Sequence, residues 1–332
     1  MFVVIEIEEI MKLAPIVLFA YDRPDHLSKT LEALKINKYA SESSLYVFVD
    51  GPKDNASHER VARIHEVRKI VENIKGFAEV EYHFADSNIG CRDSIINGIS
   101  YVLHKHSSVI VLEDDIITSP AFLAYMNSAL NLYENRPTVF SVSGHSHSPS
   151  KFQVPRNYDY DVFASPRIFN WGWGTWANRW FSTDWSMSYY NSFMNHPYEK
   201  MAFNRSGDDM VRMLVDEYEG RSSAWDIQFT FHHFRNNALS IVPCISYTYN
   251  IGLDGSGTHC YNSKGIQYKP SLNLNYEPCF LDVLYLDSRI MNRMYNAFCT
   301  KRRPLWQKAI NFIARKLGKQ APFAIKKKVY NW

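Results

Sequence analysis

Residues 108–115 read SVIVLEDD: a short apolar run, then three carboxylates in a row. A brief aliphatic run that stops at polar residues fits a strand buried on both faces, as in a parallel sheet. PIVLFA (15–20), LYVFVD (45–50), VEYHFA (80–85) and VFSVSG (139–144) extend the pattern to either side. Helical patterns lie between them. One runs from Pro24 through Leu34, and a second carries Val61, Ile64, Val67, Ile70, Val71 and Ile74 at helical spacing. A third covers 90–105, and a fourth is opened by Ser119-Pro120, read as an N-cap and N1, and runs to Glu134. This alternation predicts an α/β fold, a mostly parallel sheet with helices on both faces.

Beyond His145 the pattern loosens. Residues 146–166 read as loop with one strand, 171–181 are crowded with small and aromatic residues, 207–236 look helical, and 250–270 form a Gly/Asn/Ser-rich loop. The chain of 332 residues is 46% hydrophobic and 21% charged, which excludes wholesale disorder and collagen-like architecture. Aromatic content of 15% exceeds what a core needs, and points to a protein that handles flat apolar faces such as sugars or bases. Five cysteines, odd in number and with no CxxC pair, argue against a disulfide framework or a cysteine zinc site and favour a reducing compartment. No apolar run reaches the roughly 18 residues of a membrane-spanning helix. MFVVIEIEEI is acidic and lacks a signal peptide's basic start, and the regular pattern begins just after Met11, so Met1 and Met11 are both candidate starts.

A doubly wound sheet binds ligands at the carboxyl ends of its strands. There is no GxGxxG and no GxxxxGK[ST], which argues against a dinucleotide site or a P-loop. The strand ends carry instead Tyr21-Asp22-Arg23, Asp50-Gly51, Asp86-Ser87-Asn88 and Glu113-Asp114-Asp115. Three adjacent carboxylates after a buried strand are costly without a positive partner. Mg²⁺ or Mn²⁺, which takes one or two carboxylates together with phosphate oxygens, fits that need. The plainer alternative is a solvated strand end that caps the next helix.

PIVLFAYDRP (15–24), LYVFVDGP (45–52), SNIGCRDSIINGI (87–99), VIVLEDDIITSPAFLAYM (109–126), FNWGWGTWANRW (169–180), SAWDIQF (223–229) and NIGLDGSGTHC (250–260) occur in this order. Together they resemble the GT-A-fold, nucleotide-sugar-dependent glycosyltransferases, especially the branch containing N-acetylglucosaminyltransferase I and its bacterial relatives. The resemblance implies a nucleotide-sugar-binding half at 14–145, after an extension at 1–13, and an acceptor and catalytic half at 146–285. Asp115 would bind the metal, with Glu113 and Asp114 facing nucleotide and sugar. Asp50 would accept from the base, Arg23 would pair with the pyrophosphate, and Arg92 is a second phosphate or sugar contact, with Tyr21 beside them. Asp226 would be the general base, with Asp208 and Asp209 as rivals. Trp171 or Trp173 would stack on a sugar ring where Gly172 and Gly174 let the backbone approach, while Trp176 and Trp180, four apart, read as the packed face of a helix. His259 is a candidate metal ligand, and His145 and His147 are, with it, candidate metal or phosphate ligands.

The reading is an inverting, metal-dependent glycosyltransferase. Its donor is a nucleotide-sugar, with UDP favoured, and its acceptor a glycan or lipid-linked glycan in bacterial surface polysaccharide synthesis. The alternatives are a sugar nucleotidyltransferase, whose Gly-rich basic loop is missing after the first strand, and a non-catalytic carbohydrate-binding module. Residues 288–332 hold twelve Lys/Arg and no Asp/Glu, leaving 25 basic against 34 acidic residues elsewhere. An acidic body with a basic tail does not read as a nucleic-acid binder. In PLWQKAINFIARKLG (304–318), Trp306, Ile310, Ile313 and Leu317 share one helical face opposite Lys308, Asn311 and Arg315, and Lys326-Lys327-Lys328 follow. That pattern predicts an amphipathic helix on an anionic membrane surface, hence a cytoplasmic enzyme held on the inner face of the cell membrane. The competing expectation is a helix that packs on the catalytic domain.

Overall fold

The computed structural model describes residues 11–254 and 270–299, together with residues 310 and 313. The first half alternates as expected: β1 (Ile16–Ala20), α1 (Pro24–Lys35), β2 (Ser44–Val49), α2 (His58–Glu72), β3 (Glu79–Phe84), α3 (Cys91–Leu103) and β4 (Ser108–Glu113). Next come β5 (Ile116–Thr118), α4 (Phe122–Tyr133) and β6 (Val139–Ser143). The second half adds β7 (Val162–Ser165), β8 (Trp173–Trp176), α5 (Ala177–Phe181), α6 (Tyr190–Asn195), α7 (Pro197–Phe203), α8 (Met210–Tyr218) and α9 (Trp225–Arg235). β9 (Leu239–Pro243), β10 (Thr248–Asn250) and α10 (Ser288–Phe298) complete it.

The main sheet has eight strands in the order β3-β2-β1-β4-β8-β6-β9-β7. β8 runs antiparallel to both β4 and β6, and β7 antiparallel to β9, so the other six strands point the same way. The sheet is therefore mostly parallel, but β4 and β6 are not neighbours. The Gly-rich segment around Trp173 is threaded between them. Close pairing explains the glycine there, since a Cβ at Gly174 would stand 2.7 Å from the Val109 carbonyl oxygen.

Alternation along the central strands feeds two cores. Ile16, Leu18, Ile110 and Leu112 face α1, α2 and α4, while Val17, Phe19, Val109 and Val111 face Ile95 and Ile99 of α3 and Trp225 and Phe229 of α9. Three expectations are corrected. Ser119-Pro120 does not open α4: Ala121 is its N-cap, and Ser119 is held by the Tyr247 carbonyl beside the small β5–β10 sheet. Residues 207–236 form two helices, separated by a turn at Gly220, whose φ of 69° favours glycine. Inside the stretch set apart as a basic tail, α10 buries Ile290, Met294 and Phe298 against Phe163 and Val242, so this helix is part of the packed body.

Candidate active site

The ends of β1, β2 and β4 lie side by side in the sheet and bring Arg23, Asp50 and Glu113-Asp114-Asp115 to one edge. Arg23, at the N-cap of α1, donates from Nη2 to Asp114 Oδ1 and from Nη1 to Asp115 Oδ2 at 2.9 Å. Asp114 is clamped from both sides, its side chain accepting from Tyr21 N–H (3.3 Å) and its main-chain carbonyl from Thr30 Oγ1 of α1 (2.8 Å). The Asp115 carbonyl accepts from Ile251 N–H (2.9 Å). The next residue, Gly252, is pressed against the carboxylate so closely that a Cβ would come within 2.2 Å of Asp115 Oδ2.

One arginine serves three acids here. Burial pushes the Glu113 carboxyl well above its ordinary range, and the neighbouring Asp115 charge pushes it further. Asp114 is also raised by burial, with Arg23 opposing. Burial alone would lower the Arg23 guanidinium, but Asp114 and Asp115 outweigh it and hold the proton more tightly. Asp115 Oδ1 is buried and accepts no hydrogen bond. A buried carboxylate oxygen without a donor is expensive, and a surplus of negative charge around it is the chemistry of a hard-cation site. Among the described residues no three His, Cys, Asp or Glu side chains form a preformed cage. Mg²⁺ and Mn²⁺ do not need one, because substrate phosphates supply much of their coordination. The Asp115 side of the cluster therefore fits a divalent cation.

The other strand-end residues take more particular places. All four acceptor positions of Asp50 are filled from within the chain: Gly51 N–H (2.8 Å) and Ile89 N–H (2.9 Å) on Oδ1, Asn88 Nδ2 (2.8 Å) and Gly90 N–H (3.1 Å) on Oδ2. Asp50 thus moulds the 88–90 turn that starts α3, and in this arrangement no lone pair is spare for a base. A depression beside it is lined by Lys53, Asp54, Asn55 and Asn88. Tyr21 borders the same edge, its hydroxyl raised by burial and then by Asp22 and Asp50. Arg92, in the first turn of α3, points toward α9, with Nη2 on Gln228 Oε1 at 3.0 Å.

Asp226 sits in the first turn of α9, which is pinned to the sheet by Trp225 stacked on Trp173 at 5.0 Å. Burial raises its carboxyl to about 6, against an opposing hydrogen bond from Ile227 N–H and the field of Arg167, while Glu217 adds to the rise. Asp226 also pushes Glu113 upward. The Cys91 thiol is raised, with the charges of Glu113, Asp114, Asp226 and Asp115 all adding to the rise.

Several expected ligands are not arranged as such. Trp173 is 2% exposed and packed among Trp225, Trp180 and Phe229, which leaves no face for a sugar. Trp176 and Trp180 do not share a helical face: Trp176 ends β8 and lies in the α4-side core, and Trp180 lies in the α9-side core. Gly172 and Gly174 serve close packing, a Cβ at Gly172 standing 2.9 Å from Thr248 Cγ2. Trp171 is half-buried beside His145, with ring centroids 4.4 Å apart. His145 is buried in an aromatic nest with His147 and Phe169, and burial lowers its imidazole to about 3. Asp209 is spent on Arg167 through two hydrogen bonds of 2.9 and 2.8 Å, and Asp208 accepts from Cys299 Sγ. His259 lies outside the described residues. Sequence reasoning missed Thr30, Glu217 and Gln228. Gln228 lay inside the quoted SAWDIQF segment, as Gly252, also missed, lay inside NIGLDGSGTHC, whereas Thr30 and Glu217 carried no signal.

A sequence model of the GNT-I family matches residues 2–230. The chain is 23% identical over 216 residues to an alpha-1,3-mannosyl-glycoprotein 2-beta-N-acetylglucosaminyltransferase of Arabidopsis thaliana, covering 62% of this chain and 46% of that protein. The chain thus spans about half the length of that curated relative. Among solved structures, S. aureus TarS 1-349 aligns at a TM-score of 0.39 and 12% identity, covering 73% of this chain and 61% of that one. Mouse xyloside xylosyltransferase 1 aligns at 0.33 and 14%, covering 67% and 81%. With the family match extending over most of its length, the chain belongs to the GNT-I family.

Proposed function

We propose that this chain is an inverting, cation-dependent glycosyltransferase that moves a hexosyl or N-acetylhexosaminyl group from a UDP-sugar to a glycan hydroxyl. The unpartnered Asp115 Oδ1 within an acid-rich, singly compensated cluster is the observation that carries this reading. Family membership and the curated relative's name support the reaction class.

Asp115 would hold Mn²⁺ or Mg²⁺, with Asp114 beside it. When bound, the cation supplies charge neutralisation for the departing nucleoside diphosphate. Arg23, anchored on both aspartates, would pair with the same phosphates. Asp226 takes the acceptor hydroxyl proton as that oxygen bonds to the sugar C1 and the bond from C1 to the diphosphate breaks. A carboxyl raised to about 6 is still ionised at neutral pH and is a better base than an ordinary aspartate. Asp226→Asn is expected to lower turnover by roughly a hundredfold with donor KM unchanged, and product NMR should show inversion at C1. Retained configuration, or full turnover, would overturn the assignment.

The acceptor side of the proposal is a growing glycan on a lipid carrier in bacterial surface polysaccharide synthesis, with the enzyme held at the inner face of the cell membrane. Of this tail beyond Cys299 only Ile310 and Ile313 are among the described residues, and they are 40% and 55% exposed. No helix among the described residues is long and apolar enough to cross a membrane. Truncation after Thr300 should abolish salt-sensitive binding to anionic vesicles while sparing transfer to a soluble acceptor. A full-length protein that ignores such vesicles at low salt would reject the membrane role.

A further inference from the structure

Helix α9, which carries Asp226, starts badly by local rules. Its N-cap is Ala224, which has no side chain to accept the helix's free N–H groups, and no side-chain cap forms. A capping box would use residue N3 to reach back to the N-cap N–H, but N3 is Ile227. Asp226 is N2, so fraying of this turn would displace its carboxylate directly.

The N–H of the N-cap residue finds its acceptor on another helix. Glu217, in the last turn of α8, is only 8% exposed, and its Oε2 accepts from Ala224 N–H at 2.6 Å and Ser222 Oγ at 2.9 Å. Its Oε1 stands 3.6 Å from Arg92 Nε of α3. Arg92 in turn donates to Gln228 Oε1, two residues along α9 from Asp226. A buried glutamate is costly unless paired and hydrogen-bonded. This one is both, and each of its partners leads to the first turn of α9 or to the turn before it.

We propose that Glu217 is the positioning residue for Asp226: it caps α9 from α8 and, through Arg92 and Gln228, locks the base-bearing turn against α3. The inference rests on Asp226 being the base. The charged groups acting on that carboxylate are Arg167, Glu217 and, across the cleft, Glu113.

The test compares Glu217→Gln and Glu217→Ala with Asp226→Asn in the full-length chain, measuring kcat, donor KM and the pH profile of kcat. Misplacing the base should lower kcat of Glu217→Ala by roughly ten- to a hundredfold with donor KM unchanged. Glu217→Gln removes a negative charge that helps raise Asp226, so the acid limb of its kcat profile should move to lower pH. A residue that only stabilised the fold would lower Tm and leave that limb in place. If Asp226→Asn abolishes turnover while both Glu217 variants keep wild-type kcat and limb, the positioning role is wrong and the base stands. If Asp226→Asn retains turnover, the base reading fails and this inference with it. Should Glu217→Ala not fold, Glu217→Gln decides alone.

Discussion

Arg167 and Asp209 meet through two hydrogen bonds, with side chains 3% and 2% exposed. Arg23 meets Asp114 and Asp115 with Glu113 at their side, and one Asp115 oxygen is left over. Both clusters are buried arginine–aspartate contacts that a sequence cannot distinguish. In the first, both oxygens of the Asp209 carboxylate are taken up by the Arg167 guanidinium. The second has three carboxylates around one arginine, and Asp115 Oδ1 there is buried and accepts no hydrogen bond. If the proposed function holds, the unfilled acceptor, rather than burial or the presence of an ion pair, is what separates the site from the scaffold.

That contrast breaks if the two aspartates respond alike to neutralisation. Asp115→Asn should abolish cation-dependent transfer while Tm holds or rises, because it removes repulsion from Asp114 and Glu113. Asp209→Asn should do the opposite. Removing one partner of this buried pair should cost about 3–5 kcal/mol in stability, readable by denaturant unfolding. A stable Asp209→Asn protein, or an Asp115→Asn protein with full activity, would dissolve the distinction.

A smaller effect sharpens the picture on the base side. The Asp226 carboxyl is raised to about 6, and a base works only when ionised. Turnover should therefore be flat at neutral pH and fall as pH drops through about 6. The limb should be missing from the residual rate of Asp226→Asn. A limb near the ordinary aspartate value would show that burial does not act on this group in the working enzyme.

Much of this arrangement was legible in sequence for a physical reason. Strand interiors such as IVLFA and SVIVL must be apolar on both sides in a parallel sheet, so polar residues cluster where the strands end. Tyr21-Asp22-Arg23, Asp50 and Glu113-Asp114-Asp115 stood out on that ground alone, and the sheet brings them to one edge. What was not legible depends on contacts between distant segments. β8 is four residues long and rich in glycine and tryptophan, so its insertion between β4 and β6 has no local signature. The same holds for Trp173, whose ring reads as a sugar platform until α9 is laid over it. Asp50 reads as a free acceptor until the 88–90 turn claims its four hydrogen bonds. Glu217 is unmarked in the sequence, because its partners come from the start of α9 and from α3.

The most direct test of the central claim is calorimetric titration of UDP into the protein with Mn²⁺ and with EDTA, repeated on Asp115→Asn. If the unbalanced carboxylate cluster is a cation-dependent nucleotide site, UDP binds the wild type tightly only with Mn²⁺, and Asp115→Asn loses the Mn²⁺-dependent increment. Equal UDP affinity in EDTA and Mn²⁺, or an Asp115→Asn protein that keeps the increment, would contradict the account.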